Sequence, residues 1–480
     1  MANISLPILK TGNNTIDNAF AIACGDFLSN IFLYKGKGGM LDCEKPVIRA
    51  GLDYDLPWTR DTSFNVWYAG SLLAHEVAKN TLLSVLAKRA DGAEIDEAVG
   101  QYWDIIIWAW GAWNYYLSSG DIDFLKIALP AIEKTLAQMR EDEFDPADGL
   151  YRGGACFQDG IAAYPDQFVS NNHGSGIMSC LEDQPRHDYL LPKGHGIPCK
   201  TLSTNCLYLL GYQSAIKMRH ELGLPAEPEH QRHADALHDA INARFWNEST
   251  GCYRYILDAI DTCERQEGLG AAFAILSGVA DRDKCARLVA NMHITPNGLP
   301  AVWPPYERYM GLRPNGYPRH SGTVWPQVNA AWVSALCESG YREQAMHEIE
   351  LLAKNATRDG MFSEIYHPDT GLPYGGLQEN GDGISNYEKS NDSIIEWKSC
   401  VRQTWAATGY IHMVLKTLFG LQFTPEALFI HPMLPNDCKS MQLNGLHWRN
   451  ATLNITVEHT GPLVFKVDAS AAGEQNISFI

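Results

Sequence analysis

No two of the chain's twelve cysteines fall at CxxC spacing and none joins histidines in a zinc-like array, so neither a dithiol redox motif nor a structural zinc site is encoded. They are scattered singly from Cys24 to Cys438 and read as free thiols. Glycine cradles of the form GxxxxGK[ST] or GxGxxG are also missing, which argues against a nucleotide, and no cofactor is expected. Positive charge is scarce. With 38 Lys+Arg against 56 Asp+Glu, the formal charge of -18 would repel nucleic acid and anionic membrane surfaces, and neither is expected as a partner. No run of eighteen apolar residues occurs, and the opening MANISLPILKTGNN has no basic stretch followed by an apolar core. A cytoplasmic location is therefore the default expectation. His173 and His195 stand alone in a Gly-rich stretch over 170–200, so no metal site is expected there. That stretch reads as an insertion over the mouth of the fold. Oligomeric state leaves no trace.

What the chain does have is helical periodicity from about residue 61 to 420, in segments paired across Gly, Pro and Asp. TSFNVWYAGSLLAHEVAKNTLLSVLAKRA is one hairpin; YWDIIIWAWGAWNYYLSSGD with DFLKIALPAIEKTLAQMRE is another, and further pairs follow up to RQTWAATGYIHMVL. The first helix of several pairs is richer in Trp, Tyr, Asn and Gln than its more charged partner. That asymmetry predicts an inner ring lining a polar pit, inside an outer solvated ring. The expected fold is mainly α, an (α/α)6 toroid of helical hairpins over residues 51–420. Past Gly420, short β-branched stretches such as ATLNITVEHT predict a small antiparallel β-domain over 421–480, to which residues 1–50 are expected to add strands.

Two acidic segments lie among aromatics about two hundred residues apart: GGACFQDGIAAYPD around Asp159, and GMFSEIYHPDTGLPYGG around Glu364. Cleaving an acetal needs one carboxyl to protonate the leaving oxygen, another to activate water, and ring faces against which a sugar can stack. In GLDYDLPWTRDTSFN, Trp58, Arg60 and Asp61 could chelate adjacent hydroxyls beneath an indole, although Asp61 and Thr62 would also serve as a helix cap. Trp103 and Asp104 open the next inner helix, either as substrate contacts or as a core face with a helix-start Asp. His320, Trp325 and Gln327 in YPRHSGTVWPQ read as a pocket rim, with Pro326 tolerated at a helix start. Trp397 precedes the closing helix.

WTRDT followed by an aromatic helix resembles the entrance segment of glucoamylase-type and glycogen-debranching α/α-barrel glycosidases. That six-hairpin group also includes family 63 glucosidases, mannosylglycerate hydrolases, trehalases and α-L-rhamnosidases. YWDIIIWAWGAWNYYLSSGD, DPADGLYRGGACFQDG, HSGTVWPQVNAAW, FSEIYHPDTGLPYGG and RQTWAATGYIHMVL match in order, over most of residues 55–420. The resemblance implies Glu364 as general base and Asp159 as general acid, the latter beside Phe157 and Gln158 where the group usually has a Trp. Asp166 is the alternative acid. It further implies an exo-acting, inverting hydrolase that removes an α-glucoside or α-mannoside from a small carbohydrate. An α-L-rhamnosidase or disaccharide phosphorylase on the same barrel is one alternative, and a non-catalytic carbohydrate-binding toroid is another.

Overall fold

The computed structural model describes residues 4–96, 102–169, 175–177, 199–258, 262–380, 393–435, 438–459, 463–471 and 477–479. His173, His195 and most of the 170–200 insertion lie outside the described residues. In chain order the helices are α1 (Asn14–Ser29), α2 (Thr59–Asn65, continued by a π-helical turn Val66–Gly70 and the short Ser71–Leu73), α3 (His75–Ser84), α4 (Tyr102–Ser119), α5 (Ile122–Asp142) and α6 (Leu202–Glu221). They continue with α7 (Pro228–Phe245), α8 (Gly268–Leu276), α9 (Arg282–Asn291), α10 (Pro326–Glu338), α11 (Arg342–Asp359) and α12 (Thr404–Thr417). Among the described residues no helix is long and apolar enough to cross a membrane.

Burial separates two classes of helix. In α4, from Trp103 to Ser118, only Trp110 and Asn114 are less than fully buried, as expected of a helix surrounded by others. Its partner α5 buries one stripe that includes Phe124, Leu125, Ala128 and Ile132, and its first turn is capped by Asp121, which accepts from Phe124 N at 2.9 Å. Contacts among the enclosed helices run from α2 to α4, α6, α8, α10 and α12, and return from α12 to α2. This cyclic order is consistent with a helical barrel. The helices α5, α7, α11 and α1 lie outside it, against α4, α6, α10 and α12.

Residues 14–29, expected above to contribute strands, are helical instead. Ile16, Ala19, Phe20, Ala23, Cys24 and Phe27 recur at three- and four-residue spacing and are all buried, while Asn13 caps the helix by accepting from Thr15 N and Ile16 N. The helix packs on α11 and α12, and so supplies the outer neighbour that the chain after α12 does not. Strand structure near the N-terminus is confined to shorter pieces. Ile8–Lys10 pairs antiparallel with Ser440–Trp448, which continues through Ala451–His459 to Leu463–Ala471. Trp448 is fully buried and donates from Nε1 to Leu117 O at 3.1 Å, anchoring this sheet to the C-terminal end of α4.

Aromatic rings fill the axis between the enclosed helices. Phe64 lies 5.9 Å from Trp103 and 6.2 Å from Trp405, and Trp103 lies 6.3 Å from Phe273. Each such pair adds about 0.5–1.5 kcal/mol beyond its buried area. The plug gives any recess at the N-terminal ends of these helices a closed floor.

Candidate active site

The acidic residues singled out in the sequence gather at those N-terminal ends. Arg60 and Asp61 occupy the first turn of α2, Asp104 the first turn of α4, Gln327 the first turn of α10, and Gln403 the cap position of α12. Helix N-termini carry unpaired N–H groups and a partial positive charge, which suits carboxylates held nearby. Asp159 and Glu364 come from the loops after α5 and α11.

Glu364 is buried and held from both of its oxygens. Tyr54 donates from its hydroxyl to Oε1 at 2.9 Å, while Arg319 Nη2 at 3.0 Å and the Cys400 N–H at 3.3 Å donate to Oε2. Burial, and then the adjacent Glu364, push the Tyr54 phenol well above its usual range, so Tyr54 is a donor here. Arg319 is itself fixed: Nη1 donates to Gly375 O at 2.9 Å and Lys398 O at 3.1 Å, and the guanidinium lies 5.3 Å and 5.4 Å from the ring centres of Trp325 and Trp397.

Asp159 is held differently. Arg60 Nη1 and Nη2 reach its two oxygens at 3.1 and 3.3 Å, and Arg60 Nη1 also donates to Cys156 O. The Asp159 side chain is 51% exposed although protein surrounds it on most sides, so it faces a recess rather than packed core. Enclosure is the largest single influence and works against its charged form, but the Arg60 charge, His320 and the hydrogen bonds from Arg60 and the Asp159 N–H together outweigh it and hold the carboxyl below its ordinary value. Burial and then Arg319 push the His320 imidazole well below its usual value, with Asp159 pulling the other way. That ring packs 4.6 Å from Phe157 and stacks 5.0 Å from Trp325, and a Cβ on Gly160 would strike it. The loop carrying Asp159 is thereby seated on the loop before α10.

Asp61 joins the two carboxylates into one site. It accepts from Gln403 Nε2 at 3.2 Å and interacts electrostatically with both Glu364 and Asp159. Burial first, and those neighbouring carboxylates against the pull of Arg60, push it well above the usual carboxylate range. Asp104, behind Arg60, is raised to about 7 by burial against the pull of Arg60.

The other sequence candidates divide. Trp58 and Trp397 are part-exposed, whereas Trp325 is buried and donates from Nε1 to Arg319 O at 2.9 Å, bracing the loop instead of presenting a ring. Trp103 is 1% exposed within the aromatic plug, which makes it core and not a sugar platform. Gln327 is fully buried, and neither of its amide atoms finds a hydrogen-bond partner within the protein. Asp166 lies apart, 76% exposed and paired with Arg308 at 2.8 Å. Sequence reading missed Tyr54, Arg319 and Gln403, although each lies within a quoted segment. A cavity of about 590 Å³ sits at the opposite ends of the enclosed helices, lined by Trp67, Trp110, Trp113, Lys217, Glu338 and Lys416 among others. It shares no residue with the carboxylate group, so volume alone does not mark the acidic recess. Among the described residues no three His, Cys, Asp or Glu side chains assemble as metal ligands would.

A protein-family model described as a mannosylglycerate hydrolase MGH1-like glycoside hydrolase domain matches residues 61–381, more than half of the chain. No curated protein matches by sequence. Among solved structures, a GH78 family rhamnosidase of a Bacillus species aligns with TM-score 0.66 and 15% identity, covering 99% of this chain and 43% of that one. A sialidase aligns with TM-score 0.68 and 14% identity over 98% of this chain and 41% of its own. The GH63 mannosylglycerate hydrolase from Thermus thermophilus, in complex with glucose, aligns with TM-score 0.59 and 15% identity over 82% and 99%. The chain thus spans less than half the length of the first two. At such identities the likeness is one of fold.

Proposed function

The chain belongs to the MGH1-like glycoside hydrolase family, and on that premise we propose that it is an exo-acting, inverting hydrolase of an α-glycosidic bond in a small glycoside or oligosaccharide. The observation that carries this reading is the unequal pair of carboxyls around Asp61: Glu364 fixed by three donors, Asp159 facing the recess. In the proposed reaction Glu364 takes a proton from water as that water attacks the anomeric carbon, and Asp159 gives one to the departing oxygen. A single displacement of this kind needs the two carboxyls about 6.5–9.5 Å apart, enough to admit the water.

The cyclic contact order of α2, α4, α6, α8, α10 and α12 supports an (α/α)6 toroid over residues 51–420, with α1 as its last outer helix. Residues 421–480, joined by Ile8–Lys10, would form the appended β-domain. The aromatic plug beneath the recess supports exo action, because a chain that cannot pass through must enter end first. Neutral hydroxyl groups suit the site chemically: the amide of Gln327 offers unmade hydrogen bonds at its buried edge. The mannosylglycerate hydrolase neighbour, with glucose in one structure and D-glycerate in another, makes α-mannosides and α-glucosides the first substrates to try.

The test is a panel of p-nitrophenyl α-D-glucoside, α-D-mannoside and α-L-rhamnoside with short α-linked oligosaccharides. Release of one terminal sugar, abolished by Glu364→Gln, is the expected result. Internal fragments would contradict exo action, and a phosphate-dependent sugar phosphate would make the protein a phosphorylase. Turnover of the rhamnoside alone would move the substrate to the sugar of the other structural neighbour.

A further inference from the structure

Arg60 stands between two carboxyls and is fully bonded to neither. Charge-assisted bonds usually close to about 2.7–2.9 Å, so its contacts of 3.1 and 3.3 Å to Asp159 are loose. On its other side Arg60 Nε lies 3.9 Å from Asp104 Oδ1, and neither of those atoms has a hydrogen-bond partner within the protein. A buried donor and a buried acceptor left unmade cost about 1–3 kcal/mol each, and a shift of about 1 Å would join them. Asp104 is 1% exposed, so it cannot meet a substrate, whereas Asp159 faces the recess.

We propose that Asp104 is a positioning residue that competes with Asp159 for Arg60: when a sugar enters, the guanidinium turns onto Asp104 and leaves Asp159 to carry the proton required by the leaving oxygen. The inference rests on the glycosidase reading above and answers a difficulty within it, since a general acid paired with an arginine is ionised and has no proton to give.

The two carboxyls share one proton and one guanidinium charge throughout. Below pH about 7 the free protein holds Asp159 ionised against Arg60 and the proton on Asp104; in the closed arrangement Asp104 releases a proton to water and ionises against Arg60, while Asp159 takes one up from the recess. The total is unchanged. During cleavage the Asp159 proton passes to the glycosidic oxygen as that C–O bond breaks, and Glu364 receives a proton from the attacking water. The remaining titratable groups around Asp104 leave this exchange alone. Burial holds Cys156 as a neutral thiol and pushes Asp61 well above the usual carboxylate range, which weakens both as rivals for the guanidinium. The free-state distribution agrees with Asp104 being raised to about 7 and Asp159 lowered.

The test compares wild type with Asp104→Asn on two substrates of the same sugar, a natural disaccharide and a glycosyl fluoride, whose leaving group needs little protonation. Asp104→Asn should lower kcat on the disaccharide about tenfold or more, and leave the fluoride within about threefold. The basic limb of the disaccharide pH profile should move acidward by about one unit, and Asp104→Glu should restore part of it. Equal losses on both substrates, or an unmoved limb, would overturn the proposal. Should Asp104→Asn not fold, carboxyl carbon NMR of the wild-type protein decides. On binding a thio-linked analogue, one buried Asp should ionise while another gains a proton, and an absence of this exchange contradicts the proposal. Failure of the glycosidase reading looks different: the wild type would turn over no α-glycoside, and both proposals would fall together.

Discussion

The Arg319 guanidinium donates to Glu364 Oε2 at 3.0 Å while its face lies over the rings of both Trp325 and Trp397. A carboxylate held in this way has one orientation, and with Tyr54 on its other oxygen it is aimed by protein alone. Pre-set geometry of this kind suits a base that must meet one water molecule on one side of a sugar.

Replacing that proposed base is the first prediction. Glu364→Gln keeps the shape and the contact with Arg319 but cannot accept a proton, so kcat should fall roughly 10²–10⁴-fold with substrate affinity within about tenfold. Steady-state kinetics paired with calorimetric binding would check it, and a variant keeping a tenth of wild-type turnover would remove Glu364 from the mechanism.

Arg319→Lys should separate aim from charge. An ammonium keeps the positive charge but cannot reach Gly375 O, Lys398 O and Glu364 together, as the guanidinium does. The expected result is a loss of about 10–100-fold in kcat with little change in KM. Wild-type kinetics in this variant would show that the fork is unnecessary.

Asp159→Asn should behave in a leaving-group-dependent manner. Poor leaving groups need its proton, so disaccharides should lose roughly 10²-fold or more, while p-nitrophenyl glycosides lose less. Asp166→Asn serves as the comparison. Asp166 is exposed and bound to Arg308, so this variant should leave kinetics within about twofold. If the leaving-group pattern appeared in Asp166→Asn instead, the acid would have been misassigned.

Much of this site was legible in the sequence because its residues sit beside strong local signals. Arg60 and Asp61 precede an aromatic helix, and Glu364 lies in a Pro- and Gly-punctuated loop with its neighbours named in order. The supporting residues were harder to read. Tyr54 meets Glu364 across 310 positions and Arg319 across 45, and no periodicity or spacing encodes a contact made by folded loops. Trp103 shows the opposite limit: a Trp at a helix start looks the same whether it faces a ligand or a core, and only its 1% exposure decides. The helix Asn14–Ser29 was legible in principle. Its three- and four-residue apolar spacing is regular, but reading residues 1–50 together as strands that complete the C-terminal β-domain passes over it.

Stability should carry its own pH signature. Glu348 is buried, accepts from Asn329 Nδ2 at 2.7 Å, and is raised from 4.5 to about 7 by that burial. A carboxyl whose folded value lies above its unfolded one contributes its full stability below the unfolded value and loses it as pH rises through the folded one. Between pH about 4.5 and 7 this group should therefore cost stability on the order of 3 kcal/mol as pH rises. Glu348→Gln should remove that component, raising Tm relative to wild type at pH 8 and not at pH 4.5. Equal Tm differences at the two pH values would contradict the assignment.

The anomeric form of the first product tests the proposed mechanism most directly. With Glu364 activating water on one face of the sugar and Asp159 protonating the leaving oxygen on the other, one displacement must turn an α-glycoside into the β-anomer. Proton NMR in the first minutes of hydrolysis, before mutarotation, should show the β-anomeric signal rising first. Initial release of the α-anomer would mean a covalent intermediate and carboxyls only about 5 Å apart, contradicting the roles assigned to Asp159 and Glu364.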